Sequence, residues 1–115
     1  MRKEYEKDIQ RAIIDYLRLK KYVIFKHNST QYGFREGKSF AFSSGDKGIS
    51  DLIGCSPAGK FIAIEVKRKG GKITSEQHAF IRNVILNGGQ AFVAHSLDDV
   101  VSALKESSKG TRSLS

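Results

Sequence analysis

Glu65 and Lys67 stand two residues apart at the end of FIAIEVK, Phe61 to Lys67, and Asp51 lies upstream in GISDLIGC. Side chains alternate across a strand, so Glu65 and Lys67 project from the same face of an otherwise apolar segment. Between the two stretches, Pro57, Ala58 and Gly59 suit a three-residue hairpin turn, with proline fixing the first φ and glycine taking a left-handed third position. Pairing Ser56 with Lys60 across that turn sets Asp51 opposite Glu65. Ile62, Ile64 and Val66 then share one face, and Phe61, Ala63, Glu65 and Lys67 the other. Two carboxylates held opposite each other repel, and keeping both ionised in a partly buried place requires a cation between them. Hard oxygen donors suit Mg²⁺ or Mn²⁺, which keep positions for water and phosphate oxygens. Lys67 is placed to orient or deprotonate an attacking water, or to stabilise a pentacovalent phosphate. The spacing points to phosphodiester hydrolysis. The alternative is a half-exposed strand whose Glu65 and Lys67 pair as surface ions worth little. Asp51 on the paired strand and the basic run after Lys67 weigh against it.

The elements that must position these residues are legible on either side. Tyr5, Ile9, Ala12, Ile13, Tyr16 and Leu17 recur at helical spacing, predicting an amphipathic helix from Glu4 to Leu19. YVIFKH, Tyr22 to His27, reads as a strand, and FREGKSFAF as a short hairpin about Glu36 and Gly37. After the basic glycine loop, Thr74 three residues before Gln77 has capping-box spacing and opens a second helix, which closes on Gly88 and Gly89. QAFVAH predicts a further strand, and SLDDVVSALKE a third helix capped by Ser96. The order helix, strand, strand, strand, helix, strand, helix predicts an α/β fold, a mixed central sheet flanked by helices. Residues 1–106 form the single domain of this reading, and 107–115 a polar, disordered tail.

Composition narrows the function classes. A chain of 115 residues suits one domain with a modest core. No apolar run approaches the ~20 residues of a membrane span, and MRKEYEKDIQ has acids and no apolar core of a signal peptide. The lone Cys55 forms no internal disulfide, so the expected place is the cytoplasm, with Cys55 a small core residue. A net charge of +8 favours a polyanionic partner. Arg68, Lys69 and Lys72, in the loop beside the acids, are candidates for gripping a DNA backbone; a solvated charge run is the alternative. GGKIT fails as a Walker loop, which needs glycine where Val66 stands and Ser or Thr where Ile73 stands. His27, His78 and His95 lack metal-motif spacing and are expected to be satisfied or solvent-facing.

GISD, Gly48 to Asp51, AIEVK, Ala63 to Lys67, Gln77 in KITSEQHAFI, and NGGQAFVAHSLDDV together resemble the PD-(D/E)XK nucleases, and within them the VRR-NUC (virus-type replication-repair nuclease) domain. EKDIQRAIIDYL from Glu6 and HNS from His27 are similar to that family's opening helix and first strand end. Ser50 departs from the pattern where many relatives have proline, at a position that supplies no ligand. The resemblance implies a restriction-endonuclease-like fold in which Asp51, Glu65 and the backbone carbonyl of Val66 bind Mg²⁺ or Mn²⁺ and Lys67 assists the attacking water. Gln77 matches the glutamine that supports the site from the next helix. A capping box alone is its alternative, weighed against by its place on the stripe of Ile81, Val84 and Ile85, where a polar group needs a partner. Glu6 matches an acid that touches a second metal or a metal-bound water in related resolvases, with an exposed helix acid as the equal alternative.

The resulting reading is a metal-dependent, structure-selective DNA endonuclease, resembling the stand-alone Holliday junction resolvases encoded by phages and bacteria. A symmetrical junction calls for two active sites and a homodimer, for which Tyr32, Phe34, Phe40 and Phe42 offer apolar surface. The alternatives are a flap or single-strand nuclease, and a non-catalytic nucleic-acid-binding module.

Overall fold

In the computed structural model the backbone is described for residues 5–27, 30–35, 37–43 and 47–114, and the side chains of all these but 30–35, 38–43 and 106–114. The apolar period of the first segment forms helix α1 (Glu6–Leu19), whose Ile9, Ile13 and Leu17 are buried along one stripe. It ends without glycine. Lys21 takes a left-handed φ of 71°, the Lys21 N–H donates to the Arg18 carbonyl and the Tyr22 N–H to that of Leu17, both at 3.0 Å. This double closure satisfies the last carbonyls and turns the chain into the first strand.

Four strands form the central sheet: β1 (Val23–Lys26), β4 (Leu52–Cys55), β5 (Phe61–Val66) and β6 (Gln90–Ala94), in the order β1-β4-β5-β6. β1 to β4 and β4 to β5 are antiparallel, while β5 and β6 run parallel. The parallel pair requires a crossover, which helix α2 (Ser75–Leu86) provides. A separate antiparallel hairpin, β2 (Thr30–Arg35) with β3 (Lys38–Ser43), lies between β1 and β4 in the chain. It contains the hairpin expected about Glu36 and Gly37 and extends further in both directions. Helix α3 (Leu97–Leu114) takes in residues 107–114 of the segment read from sequence as a tail. The architecture is thus mixed α/β with the expected order of helices and sheet strands.

Alternation in β5 divides the two faces as its pattern demands. Ile62, Ile64 and Val66 join Ile9, Ile13, Leu17, Ile24, Leu52, Ala94 and Val100 in one cluster between the sheet, α1 and α3. The opposite face carries Glu65 and meets α2. Cys55 is half-buried at the end of β4.

The loop before Asp51 is held by a close approach. Gly48 has a φ of 89°, and a Cβ there would overlap the Glu76 carbonyl in the first turn of α2. Gly59, in the β4–β5 turn, has a φ of 84° but open space around it. Gly48→Ala is therefore expected to lower stability by about 2 kcal/mol or more, combining strain with displacement of backbone. Gly59→Ala, which adds strain alone, should cost roughly 1 kcal/mol. Urea midpoints at unchanged m-value test this; equal losses would show that the contact with α2 has no weight.

Candidate metal and phosphodiester site

The β4–β5 turn forms as the sequence predicts. The Ser56 N–H donates to the Lys60 carbonyl at 2.9 Å, and the Gly59 N–H to that of Ser56 at 2.8 Å. From there the register runs Cys55 to Phe61 through Leu52 to Ile64, and one further step brings Asp51 and Glu65 together. Asp51 is partly buried, and its Oδ2 accepts a 2.9 Å hydrogen bond from the Val66 N–H. This bond ties the carboxylate to the strand that carries Glu65.

Glu65 is 1% exposed. Its Oε2 lies 3.7 Å from Lys67 Nζ and accepts a 3.1 Å hydrogen bond from Gln77 Nε2, while Oε1 is buried without a partner. Burial first, then the Asp51 carboxylate beside it, push the Glu65 carboxyl up to about 8; the Lys67 ammonium offsets this only in part. Without a cation, the pair settles its repulsion by holding a proton.

Gln77 serves two roles at once. Its backbone N–H donates to Thr74 Oγ1 at 3.1 Å and its Oε1 accepts from the Thr74 N–H at 2.8 Å, completing a capping box. With Oε1 so engaged, the amide nitrogen must face outward, and it donates to Glu65. Cap and carboxylate contact were alternatives in the sequence; in the structure the cap fixes which end of the amide reaches Glu65. Of its stripe, Ile81 and Val84 are half-buried, whereas Ile85 is 52% exposed.

Lys67 continues the parallel ladder, its N–H donating to the Ala94 carbonyl at 3.0 Å. The loop beyond is held from both sides. The Arg68 N–H donates to Glu6 Oε2 at 3.4 Å. Opposite, His95 Nδ1 lies 3.0 Å from the Lys67 carbonyl and 3.4 Å from that of Arg68. Facing two acceptors, Nδ1 must carry the proton, which fixes the tautomer of the neutral ring. His95 is in turn fixed by Asp99, whose Oδ2 accepts from the His95 N–H at 2.8 Å. Sequence reasoning expected only a satisfied or solvent-facing histidine here. No local signal could reveal more, because the contact arises from parallel pairing of distant strands.

The other expectations divide. Glu6 reaches the loop after Lys67, yet among the described residues no three His, Cys, Asp or Glu side chains converge to hold an ion. Arg68, Lys69 and Lys72 are exposed beside the site, and His78 faces solvent. His27 differs from its expectation: its N–H donates to the Asp51 carbonyl at 2.7 Å, but its Nε2 is buried without a partner. Ser50 is wholly buried with its hydroxyl unpartnered. Tyr32, Phe34, Phe40 and Phe42 have side chains outside the described residues. No helix among the described residues is long and apolar enough to cross a membrane.

The donor set fits a hard divalent cation. Asp51 and Glu65 offer carboxylate oxygens on one face, the Glu65 Oε1 lacks any protein partner, and the two acids repel unless a positive charge stands between them.

The protonated pair makes the metal-free fold sensitive to pH. The folded chain holds a proton on Glu65 up to about pH 8, whereas the unfolded chain releases it near the ordinary 4.5. Stability is therefore full below the unfolded value, falls as pH rises between the two, and levels off above the folded one. In EDTA, Glu65→Gln should show a visibly flatter fall of melting temperature across that window. An unaltered profile would assign the titration to another group.

A family model described as the VRR-NUC domain matches residues 6–98, from the start of α1 into the first turn of α3. The match includes all four strands of the central sheet. No curated protein and no solved structure matches the chain.

Proposed function

We propose, from the premise that the chain belongs to the VRR-NUC domain family of PD-(D/E)XK nucleases, that it is a metal-dependent endonuclease hydrolysing phosphodiester bonds in branched DNA, with Asp51, Glu65, Lys67 and Gln77 as its working residues. The observation that carries this reading is a 1% exposed Glu65 at the end of paired strands, touching Lys67 and Gln77 and set opposite Asp51 by the β4–β5 register. A purely structural role leaves that burial unexplained, since surface replacement of the acid would avoid the desolvation cost.

Asp51, Glu65 and the Val66 carbonyl would hold Mg²⁺ or Mn²⁺, which supplies Lewis-acid neutralisation of charge on the phosphate. The protein's own part is positional and electrostatic. Asp51 is fixed by the Val66 N–H, Glu65 by the Gln77 amide, and both carboxylates are therefore oriented before substrate arrives. Lys67 sits 3.7 Å from Glu65 on the same strand face. Its ammonium is placed to orient the attacking water and to stabilise the negative charge that grows on the phosphate. His95 and Glu6, holding the backbone at Lys67 and Arg68, keep that side chain's base from shifting. Arg68, Lys69 and Lys72 grip the DNA backbone next to the cut.

Asp51→Asn and Lys67→Ala are expected to lower cleavage by at least 10³-fold while DNA affinity changes less than about threefold, since affinity comes from scattered phosphate contacts. A panel of four-way junction, flap, duplex and single-stranded DNA with Mg²⁺ or Mn²⁺ measures both activity and shape preference. Cleavage by either variant at the wild-type rate would sink the assigned site; binding of every substrate with cutting of none would favour the non-catalytic binding module.

Junction resolution requires two cuts related by symmetry, and one chain offers one such site, so the resolvase reading entails a two-fold homodimer. Exposed Val23, Phe25 and Phe61, at 62%, 51% and 43%, support it as apolar surface without a partner among the described residues. Light scattering at micromolar concentration should return twice the 12.8 kDa chain mass. A monomer, both free and with junction DNA, would leave a nuclease making one cut per encounter.

A further inference from the structure

On the face of α1 turned away from the buried stripe, Lys7, Arg11 and Arg18 line an open cleft of about 480 Å³ whose far wall includes Lys26 of β1. The residues follow one helical stripe, at intervals of four and seven. Lys26 reaches the cleft because it shares a strand face with Ile24, which is buried against α1. Four cations thus converge on a concavity from two elements, which a solvated helix face does not produce.

Asp8 and Asp15 also line the cleft, and the bland explanation is that they neutralise these cations in pairs along the helix. They do not: among the described residues the only ion pair within 4.0 Å is that of Lys67 and Glu65. Arg18 is instead anchored through Nη2 to the Ile24 carbonyl at 3.1 Å, so its guanidinium is held in place with further donors to offer. At the floor lies Gln10, 7% exposed and with its Oε1 buried and unpartnered. An amide oxygen accepts and a phosphodiester donates nothing, so a bridging water completes Gln10 at the base of the cleft, and the contact with phosphate is left to the four cations.

The dimensions suit a nucleic-acid strand. Lys7 to Arg18 spans ~16 Å along the helix axis, which covers about five nucleotide steps at 3.4 Å each. Lys7 also follows Glu6, whose carboxylate touches the Arg68 N–H beside the proposed site, so the cleft begins next to the cationic loop and leads away from it.

We propose that the cleft between α1 and β1 is a second phosphate-backbone contact, separate from the loop of Arg68, Lys69 and Lys72, which holds one arm of the DNA substrate away from the cut. The proposal rests on the reading of the chain as a DNA-cutting domain, but binding and cutting are measured apart. Neither Lys7, Arg11 nor Lys26 touches the acid pair, and all three are exposed, so their exchange leaves the fold intact.

The test is fluorescence anisotropy of a labelled four-way junction with Asp51→Asn protein in EDTA, titrated across a salt series. Lys7→Gln, Arg11→Gln and Lys26→Gln, each confirmed folded by its melting curve, should each flatten the plot of log affinity against log salt by roughly 0.9. Lys60→Gln, at the β4–β5 turn, is the control and should leave the slope unchanged. Unaltered slopes in the three cleft variants would overturn the proposal, and so would an equal flattening by Lys60→Gln, since the slope would then report diffuse net charge. Wild-type protein that shows the cleft-dependent slope yet cuts no DNA would refute the nuclease reading and leave the cleft standing.

Discussion

The register of one hairpin governs everything else in the site. The turn at Pro57 to Gly59 closes with Ser56 bonded to Lys60, and period-two pairing then carries Asp51 to Glu65 without any further instruction. A slip of one residue would move Glu65 into the aliphatic cluster of α1 and α3 and bring Ile64 or Val66 to the polar side. The apolar alternation of β5 and the left-handed Gly59 therefore hold the facing acids in place as well as the fold. The same register lets Asp51 accept from the Val66 N–H, so the acid is fastened to the strand it faces.

Helix α2 is held to this site more by polar contacts than by burial. None of its residues is fully buried, yet its first turn receives Gly48 against Glu76 and sends Gln77 to Glu65. The capping box and the carboxylate contact share one amide. Because Oε1 is committed to the Thr74 N–H, rotation that would place an oxygen against Glu65 costs that half of the capping box, a loss of about 1 kcal/mol. Helix stability and orientation of the site are thus coupled through a single side chain.

How much of this was legible in the sequence follows from the range of each interaction. The facing acids rested on a turn and an alternation, both local, and the structure brings them together. Thr74 and Gln77 had cap spacing, also local; that one amide would satisfy both cap and Glu65 needed the distance between α2 and β5. The His95 contact with the Lys67 carbonyl depends on a parallel pairing closed by a crossover, which no window of sequence contains. The unpartnered Nε2 of His27 and Oε1 of Gln10 were equally invisible, because burial of a polar atom is a property of what packs over it. Lys21 shows the converse limit: a helix stop built from a non-glycine left-handed residue lacks the usual marker.

An acidic centre within a chain of net charge +8 is consistent once attraction and chemistry are assigned to different depths. On the proposed reading, exposed cations in the α1 cleft and in the loop after Lys67 would act over distance, be screened by salt, and contribute nearly additively because water separates them. Glu65 lies where water is sparse and Asp51 is partly buried beside it, so Asp51, Glu65, Lys67 and Gln77 are expected to perturb one another and their effects not to sum. Were the cations as buried as Glu65, each would need its own counter-charge and none would remain for phosphate. Were the acids as exposed as Lys69, they would add repulsion toward DNA and bind a cation weakly. In the proposed nuclease, the burial of one set and exposure of the other would allow a polyanion to approach an anionic centre.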